Sequence, residues 1–262
     1  MEIEVTRVNG AVRVNPAPPY ITSYLQYSHR TIEMEKWQRV SKFEKRLLHT
    51  VHPDGGIITF QGFYERIAAL IIKHGDRMTL VDLRTDVGEP DLCAVRDINW
   101  EAIPGSTGPR DYQLEPIVEF LYKAKENSGI VNATGGWGKT VMQAVTYAAY
   151  NKLKHAILAI PLNEVWKQSY KTFTGLFPDK HIGRVGGGYN EISEDLTIST
   201  YKSLRKCALE KCQLFLADEI QGTTGDEIMS VLNSFQPIRM FGYTATDQNL
   251  FNNADKLIKG LF

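Results

Sequence analysis

The stretch from Gly129 to Tyr150 constrains the fold more than any other in this 262-residue chain. An apolar strand, Gly129 to Ala133, runs into the loop A-T-G-G-W-G-K-T at Ala133 to Thr140, and the helix Lys139 to Tyr150 follows at once. Gly135, Gly136 and Gly138 let such a loop curl until its backbone N–H groups converge, and the helix that follows adds the positive end of its dipole. A β-phosphate is the natural guest of that arrangement. Lys139 would neutralise β- and γ-phosphate charge, the Thr140 hydroxyl would ligate Mg²⁺, and Thr134 belongs to the same cradle. Ala133 stands where the general pattern has glycine. Trp137 either caps the loop or fills a variable position, and both readings stay open.

The surroundings of the loop predict a parallel sheet. Helices are expected at Tyr112 to Lys125, Glu164 to Phe173 and Asp226 to Ser234, with a helical turn at Lys202 to Lys206. Strands are expected at His155 to Ile160, Ile182 to Val185, Leu196 to Ser199, Gln213 to Ala217 and Ile238 to Tyr243. Apolar strands alternating with helices imply an α/β fold whose sheet is covered on both faces. Ligands of such sheets sit at the strands' carboxyl ends. The strand Gln213 to Ala217 ends in Asp218-Glu219-Ile220-Gln221, so both carboxylates are expected at the same edge as the glycine loop. Asp218 would hold Mg²⁺ through its water shell, and Glu219 would polarise an attacking water. Two carboxylates after a strand also suit a helix start; the loop upstream favours the nucleotide reading.

The first hundred residues are mixed. Glu2 to Val14 alternates like a hairpin turning at Asn9-Gly10, Ile21 to Tyr27 fits a short helix or strand, and Asp54-Gly55-Gly56 marks a turn before the strand Ile57 to Phe60. Gly62 to His74 has the apolar spacing of an amphipathic helix, and Met78 to Leu83 returns to strand. The expected division is a small α+β module over 1–85, a linker over 86–109 rich in proline and glycine, and the α/β lobe over 110–262.

Composition excludes several classes. Lys plus Arg equals Asp plus Glu at 30 each, so nucleic-acid binding has to come from local clustering. Such a cluster lies at Lys36, Arg39, Lys42, Lys45 and Arg46, with Trp37 and Phe43 interleaved and Glu44 the one acid. It is either a solvated face or a phosphate-contacting patch. Three cysteines give no disulfide framework, and the close pair His49 and His52 lacks the partners of a zinc site. No apolar run reaches the roughly 20 residues of a membrane span, and Met1 to Arg13 lacks a signal peptide's pattern, so a cytoplasmic protein without membrane partners is expected.

Further segments are similar to the superfamily-2 helicases and translocases. Arg110-Asp111-Tyr112-Gln113 resembles the family's adenine-reading R-x-Y-Q element, and an amide such as Gln113 can donate to and accept from adenine's edge. Pro161 through Gln168 resembles the strand-end P-x-x-x-L-x-x-Q element that contacts nucleic-acid phosphates, with Val165 for the usual leucine. Gly186, Gly187 and Gly188, then Thr200 to Ser203, resemble two later nucleic-acid elements. Thr244-Ala245-Thr246 resembles the S/T-A-T element that couples γ-phosphate state to lobe movement.

The resemblance implies a RecA-like P-loop NTPase lobe over Arg110 to Phe262, with ATP and Mg²⁺ as cofactors and branched or duplex DNA as partner. D-E-I-Q departs from the D-E-A-D and D-E-A-H tetrads, so RNA fits less well. The best-fitting branch is that of bacteriophage recombination helicases and their XPB-like relatives, which implies ATP-driven remodelling of DNA in recombination or repair. Members carry a second RecA-like lobe with arginine fingers. The chain ends at Gly260-Leu261-Phe262, where that connection would begin, so a portion of a longer protein with slow hydrolysis of its own is expected. A P-loop ATPase acting on protein or small molecules would leave Gly186 to Ser203 unused, and one acting on RNA is a further alternative. A non-catalytic DNA-binding adaptor would not need Lys139, Thr140, Asp218 and Glu219 intact.

Overall fold

The structure is a computed structural model that describes residues 1–35, 38–124, 128–221, 231–232, 236–245 and 259–260; for 29–35, 38–40 and 42 it describes the backbone alone. The described residues divide into two compact units, one built on Met1–Arg84 and the other on residues 85–245.

In the first unit β1 (Glu2–Val8) and β2 (Ala11–Asn15) form the expected hairpin about Asn9-Gly10. Helix α1 (Pro19–Tyr24) starts on a proline whose missing N–H costs nothing in a first turn. The long strands β3 (Gln26–Glu35) and β4 (Gln38–Leu47) pair with each other, and β5 (His49–Val51), β6 (Ile57–Phe60), helix α2 (Tyr64–Lys73) and β7 (Arg77–Asp82) follow. The main sheet runs β5-β6-β2-β1-β7, parallel only between β1 and β7. Period two buries Ile3 and Val5 from β1, and Phe63, Ile67 and Ile71 bury the apolar stripe of α2 and the turn before it.

The second unit holds α3 (Asp111–Lys123), β8 (Gly129–Asn132), α4 (Lys139–Ala149), β9 (Ala156–Ile160), α5 (Asn163–Leu176), β10 (Ile182–Gly186), β11 (Tyr189–Glu191), β12 (Leu196–Thr200), β13 (Leu214–Asp218) and β14 (Arg239–Thr244). Its sheet order is β11-β10-β12-β9-β13-β14-β8, and every pair is parallel except β10 with β11. All five residues of β9 are buried, as a strand covered on both faces requires. Helix α4 is buried from Met142 to Ala149, so its alanines set how closely it lies against its neighbours. Among the described residues no helix is long and apolar enough to cross a membrane.

One expectation changes, one is refined, and a third falls partly outside the described residues. The stretch 86–109, read as linker, is packed against the second unit: Ile98 is buried in its core, with Leu92, Val95, Trp100 and Ile103 against it. The backbone N–H of Asp91 donates to Ala149 O at 2.8 Å and that of Asn99 to Leu176 O at 2.9 Å, tying the segment to the ends of α4 and α5. Prolines and glycines set its changes of direction, while the apolar residues between them supply burial that punctuation does not reveal. The helical turn at Lys202 to Lys206 is a 3-10 turn over Tyr201–Lys206. The helix expected at Asp226 to Ser234 includes residues outside those described.

Candidate nucleotide-binding site

Parallel pairing puts the carboxyl ends of β8, β13 and β14 at one sheet edge, so the glycine loop, the Asp218-Glu219 pair and Thr244 emerge side by side. The loop is tied to β14 through the Ala133 N–H, which donates to Thr244 O at 2.8 Å. Gly138 caps α4 at φ +105, a left-handed conformation that favours glycine, and a Cβ there would strike the Gln113 amide. A Cβ at Gly135 or Gly136 would meet nothing within 4 Å, so the mouth of the loop is open. Thr134 and Thr140 are exposed beside it.

Lys139 Nζ reaches across to an ion pair with Glu219 Oε1. Glu219 Oε2 accepts from Gln221 Nε2 at 2.9 Å, and Gln221 Oε1 accepts from the Thr244 hydroxyl at 2.9 Å. Glu219 itself sits at φ +50, sparsely populated for a residue with a Cβ. Asp218 Oδ1 accepts from Gln143 Nε2 at 2.9 Å, and its backbone carbonyl accepts from the Tyr201 hydroxyl at 2.8 Å.

The two carboxylates are pushed in opposite directions. Burial raises Asp218 above the usual carboxylate range against the pull of Lys139, and neighbouring Glu219 adds to the rise. Burial acts on Glu219 too, but hydrogen bonds from Lys139 and Gln221 outweigh it and hold the group below its ordinary value. A buried carboxylate driven toward neutrality beside a second one is a site where a divalent cation restores the charged form. The hydroxyl of Thr140 and the carboxylate of Asp218 are hard oxygen donors of the kind Mg²⁺ takes, and they would hold it together with the nucleotide.

The segment expected to read adenine has a structural task of its own. Gln113, buried on α3, accepts the Arg110 N–H on Oε1 at 2.7 Å and donates Nε2 to the carbonyl of Trp137 in the loop. Both ends of the amide are engaged within the protein, so contact with a base requires an exchange of these bonds. Arg110 and Tyr112 are exposed, the Arg110 guanidinium donates to the Tyr112 hydroxyl at 3.2 Å, and the Tyr112 ring lies edge-on to Trp137 at 6.4 Å. Trp137 therefore makes specific contacts, where sequence left its role open.

The segments expected to touch nucleic acid end on the other half of the same edge. Pro161 follows β9, Gly186 ends β10 and Thr200 ends β12. Gly187 and Gly188, at φ +55 and +93, form the two-residue turn from β10 into β11, as a type I′ hairpin demands. A Cβ at Gly187 would press on the Trp166 ring, and one at Gly186 on Thr200, so close packing accounts for these glycines as well. Thr200 Oγ1 donates to Ser203 Oγ at 3.0 Å. Thr246 lies outside the described residues, as does the side chain of Lys42.

Of the partners of Asp218, Gln143 carries no motif, and Tyr201 lies in the Thr200 to Ser203 segment read only as a nucleic-acid element. The signal for Gln143 is a polar residue inside the otherwise apolar run V-M-Q-A-V, one helical turn beyond Lys139.

Residues 106–249 match the family described as type III restriction enzyme, res subunit. No curated protein matches the chain. A crystal structure of the UvsW helicase from bacteriophage T4 superposes with a TM-score of 0.70 at 15% identity, covering 99% of this chain and 98% of that one. A second T4 UvsW structure gives 0.68 at 14% identity over 99% of this chain, which spans 56% of that longer one. The Sulfolobus solfataricus SWI2/SNF2 ATPase core in complex with dsDNA gives 0.50 at 16% identity over 60% of this chain and 36% of its own. Taken with the glycine loop and its facing carboxylates, the match over more than half of its length makes this chain a member of the type III restriction enzyme res-subunit family, among the superfamily-2 helicases, with a RecA-like lobe behind a small α+β module.

Proposed function

We propose that this chain is the N-terminal portion of an ATP-dependent DNA helicase or translocase, working in the cytoplasm on branched or duplex DNA in recombination or repair. The observation that carries the reading is the meeting of Lys139 with Glu219, beside Asp218, at the edge where β9, β10 and β12 also end. Loop N–H groups and Lys139 take the phosphate charge, Thr140 and Asp218 hold Mg²⁺, and Glu219 orients and deprotonates the attacking water. Mg·ATP supplies the phosphoanhydride whose cleavage drives movement. Lys139 has to leave Glu219 for that to occur, and the chain from Glu219 through Gln221 to Thr244 carries the change toward β14. The departure of D-E-I-Q from the RNA-helicase tetrads and the double-stranded DNA on the Sulfolobus core support DNA as partner.

Lys139→Ala tests the reading. Loss of the charge-assisted bonds to phosphate should weaken Mg·ATP binding by roughly tenfold to a hundredfold or more, with DNA affinity unchanged. Undiminished nucleotide affinity in a fluorescent-ATP titration would refute the site. ATP turnover that does not respond to duplex or branched DNA would refute the partner.

A further inference from the structure

The register of the β3–β4 ribbon sorts its charges in a way the linear cluster conceals. Ten pairs run without a bulge from Gln26↔Leu47 to Glu35↔Gln38, so directly paired residues share a face and alternate positions along each strand change face. One face takes positions 26, 28, 30, 32 and 34 with 39, 41, 43, 45 and 47. It holds the cations Arg30, Arg39 and Lys45 and no acid. The other face takes all three acids, Glu33, Glu35 and Glu44, along with Lys42 and Arg46. The basic cluster read from sequence thus falls on both faces, and its Lys42 and Arg46 share theirs with the acids.

The acid-free face is also open. Ser28, Ser41 and Lys45 are exposed, and Phe43 and Leu47 remain 69% and 57% exposed. Among the described residues the ribbon pairs with no other strand. Two strands without an apolar face to bury are marginal alone. Large apolar side chains in water on such a ribbon point to a surface that is completed by something else.

We infer that the acid-free face of the β3–β4 ribbon binds duplex DNA, with Arg30, Arg39 and Lys45 on phosphates and Phe43 and Leu47 against sugar and base edges. The inference rests on the proposed DNA-directed function and assigns it a surface. Charge complementarity selects a polyanion, and size selects a duplex. Ten residues at about 3.3 Å each span roughly one turn of B-DNA, and its major groove admits a two-stranded ribbon.

The test is duplex-DNA affinity of the full chain across a salt series. Neutralising Arg30, Arg39 and Lys45 together to glutamine should lower the slope of log K against log salt by about 2.7, so that between 50 and 200 mM salt the wild type loses about 40-fold more affinity than the variant. Lys42→Gln with Arg46→Gln should leave the slope nearly unchanged. Phe43→Ala should weaken binding without altering the slope. An equal effect per charge from both faces overturns the assignment while DNA binding itself stands; a wild type that binds no duplex overturns the functional reading as well. Equal salt-dependent binding to polyglutamate would assign the face to an acidic protein instead. If the triple variant melts early, Lys45→Gln alone, at an exposed position, should still cost about 0.9 in slope, and an unchanged slope there is equally fatal.

Discussion

Gln113 is the residue through which the glycine loop is held from behind, and its removal should be felt before any nucleotide arrives. Its amide accepts the Arg110 N–H and donates to the Trp137 carbonyl, so Gln113→Ala deletes both bonds at a buried site. At about 0.5–1.5 kcal/mol net for each bond, the loss is about 1–3 kcal/mol. A domain of this size shifts its midpoint by roughly 2–4 °C per kcal/mol, so a central loss of about 2 kcal/mol lowers Tm by about 4–8 °C. Gln113→Glu keeps the acceptor for Arg110 but sets a carboxylate against the Trp137 carbonyl, and it should do no better than alanine. Differential scanning fluorimetry without nucleotide reads the stability, and a Mg·ATP titration of the same proteins reads the loop. An unchanged midpoint in Gln113→Ala would show that the amide does not hold the loop, and would return Gln113 to adenine reading alone.

Two further outcomes follow from the carboxylates. Burial raises Asp218, so this group favours the folded state most fully below its unfolded value and loses that contribution as pH rises through the folded one. Asp218→Asn, whose amide oxygen can still accept from Gln143, should therefore melt higher than wild type at pH 7, with the gain vanishing in acid, while Mg²⁺-dependent nucleotide binding is lost; a lower midpoint at pH 7 contradicts this. Glu219→Gln removes the anion paired with Lys139, which in the proposed mechanism would compete with phosphate for it. At about 1 kcal/mol for a partly exposed pair, Mg·ATP should bind about fivefold tighter and turn over more slowly, and weaker binding would count against the competition.

What was legible in sequence was whatever repeats locally. The strand, loop and helix at Gly129 to Tyr150, the apolar β9 and the strand ending in Asp218 each carry their period and their punctuation within about ten residues. What escaped depends on pairing across distance. Sheet order brings β13 between β9 and β14, and it is this placement that sets Glu219 against Lys139. Gln143 and Tyr201 reach Asp218 only in three dimensions. The short strand β11 was signalled by Gly187-Gly188 as an I′ turn, a pair read only as a nucleic-acid element. In the basic cluster, neighbours in sequence alternate faces on a strand, so counting charges along the chain merges two surfaces that the register separates.

In the proposed mechanism the same edge would keep the site quiet without nucleotide. Lys139 is paired with Glu219, and that pairing, with Gln221, is what holds Glu219 below its ordinary value. A carboxylate so stabilised is a poor base. Were phosphate oxygens to draw Lys139 away, as proposed, Glu219 would lose its strongest support, its proton affinity would rise, and it would become a better acceptor for a water's proton. The remaining bonds, through Gln221 to Thr244, would then have an altered partner at one end, so in this proposal the competition of two anions for one lysine would couple occupancy of the loop to β14.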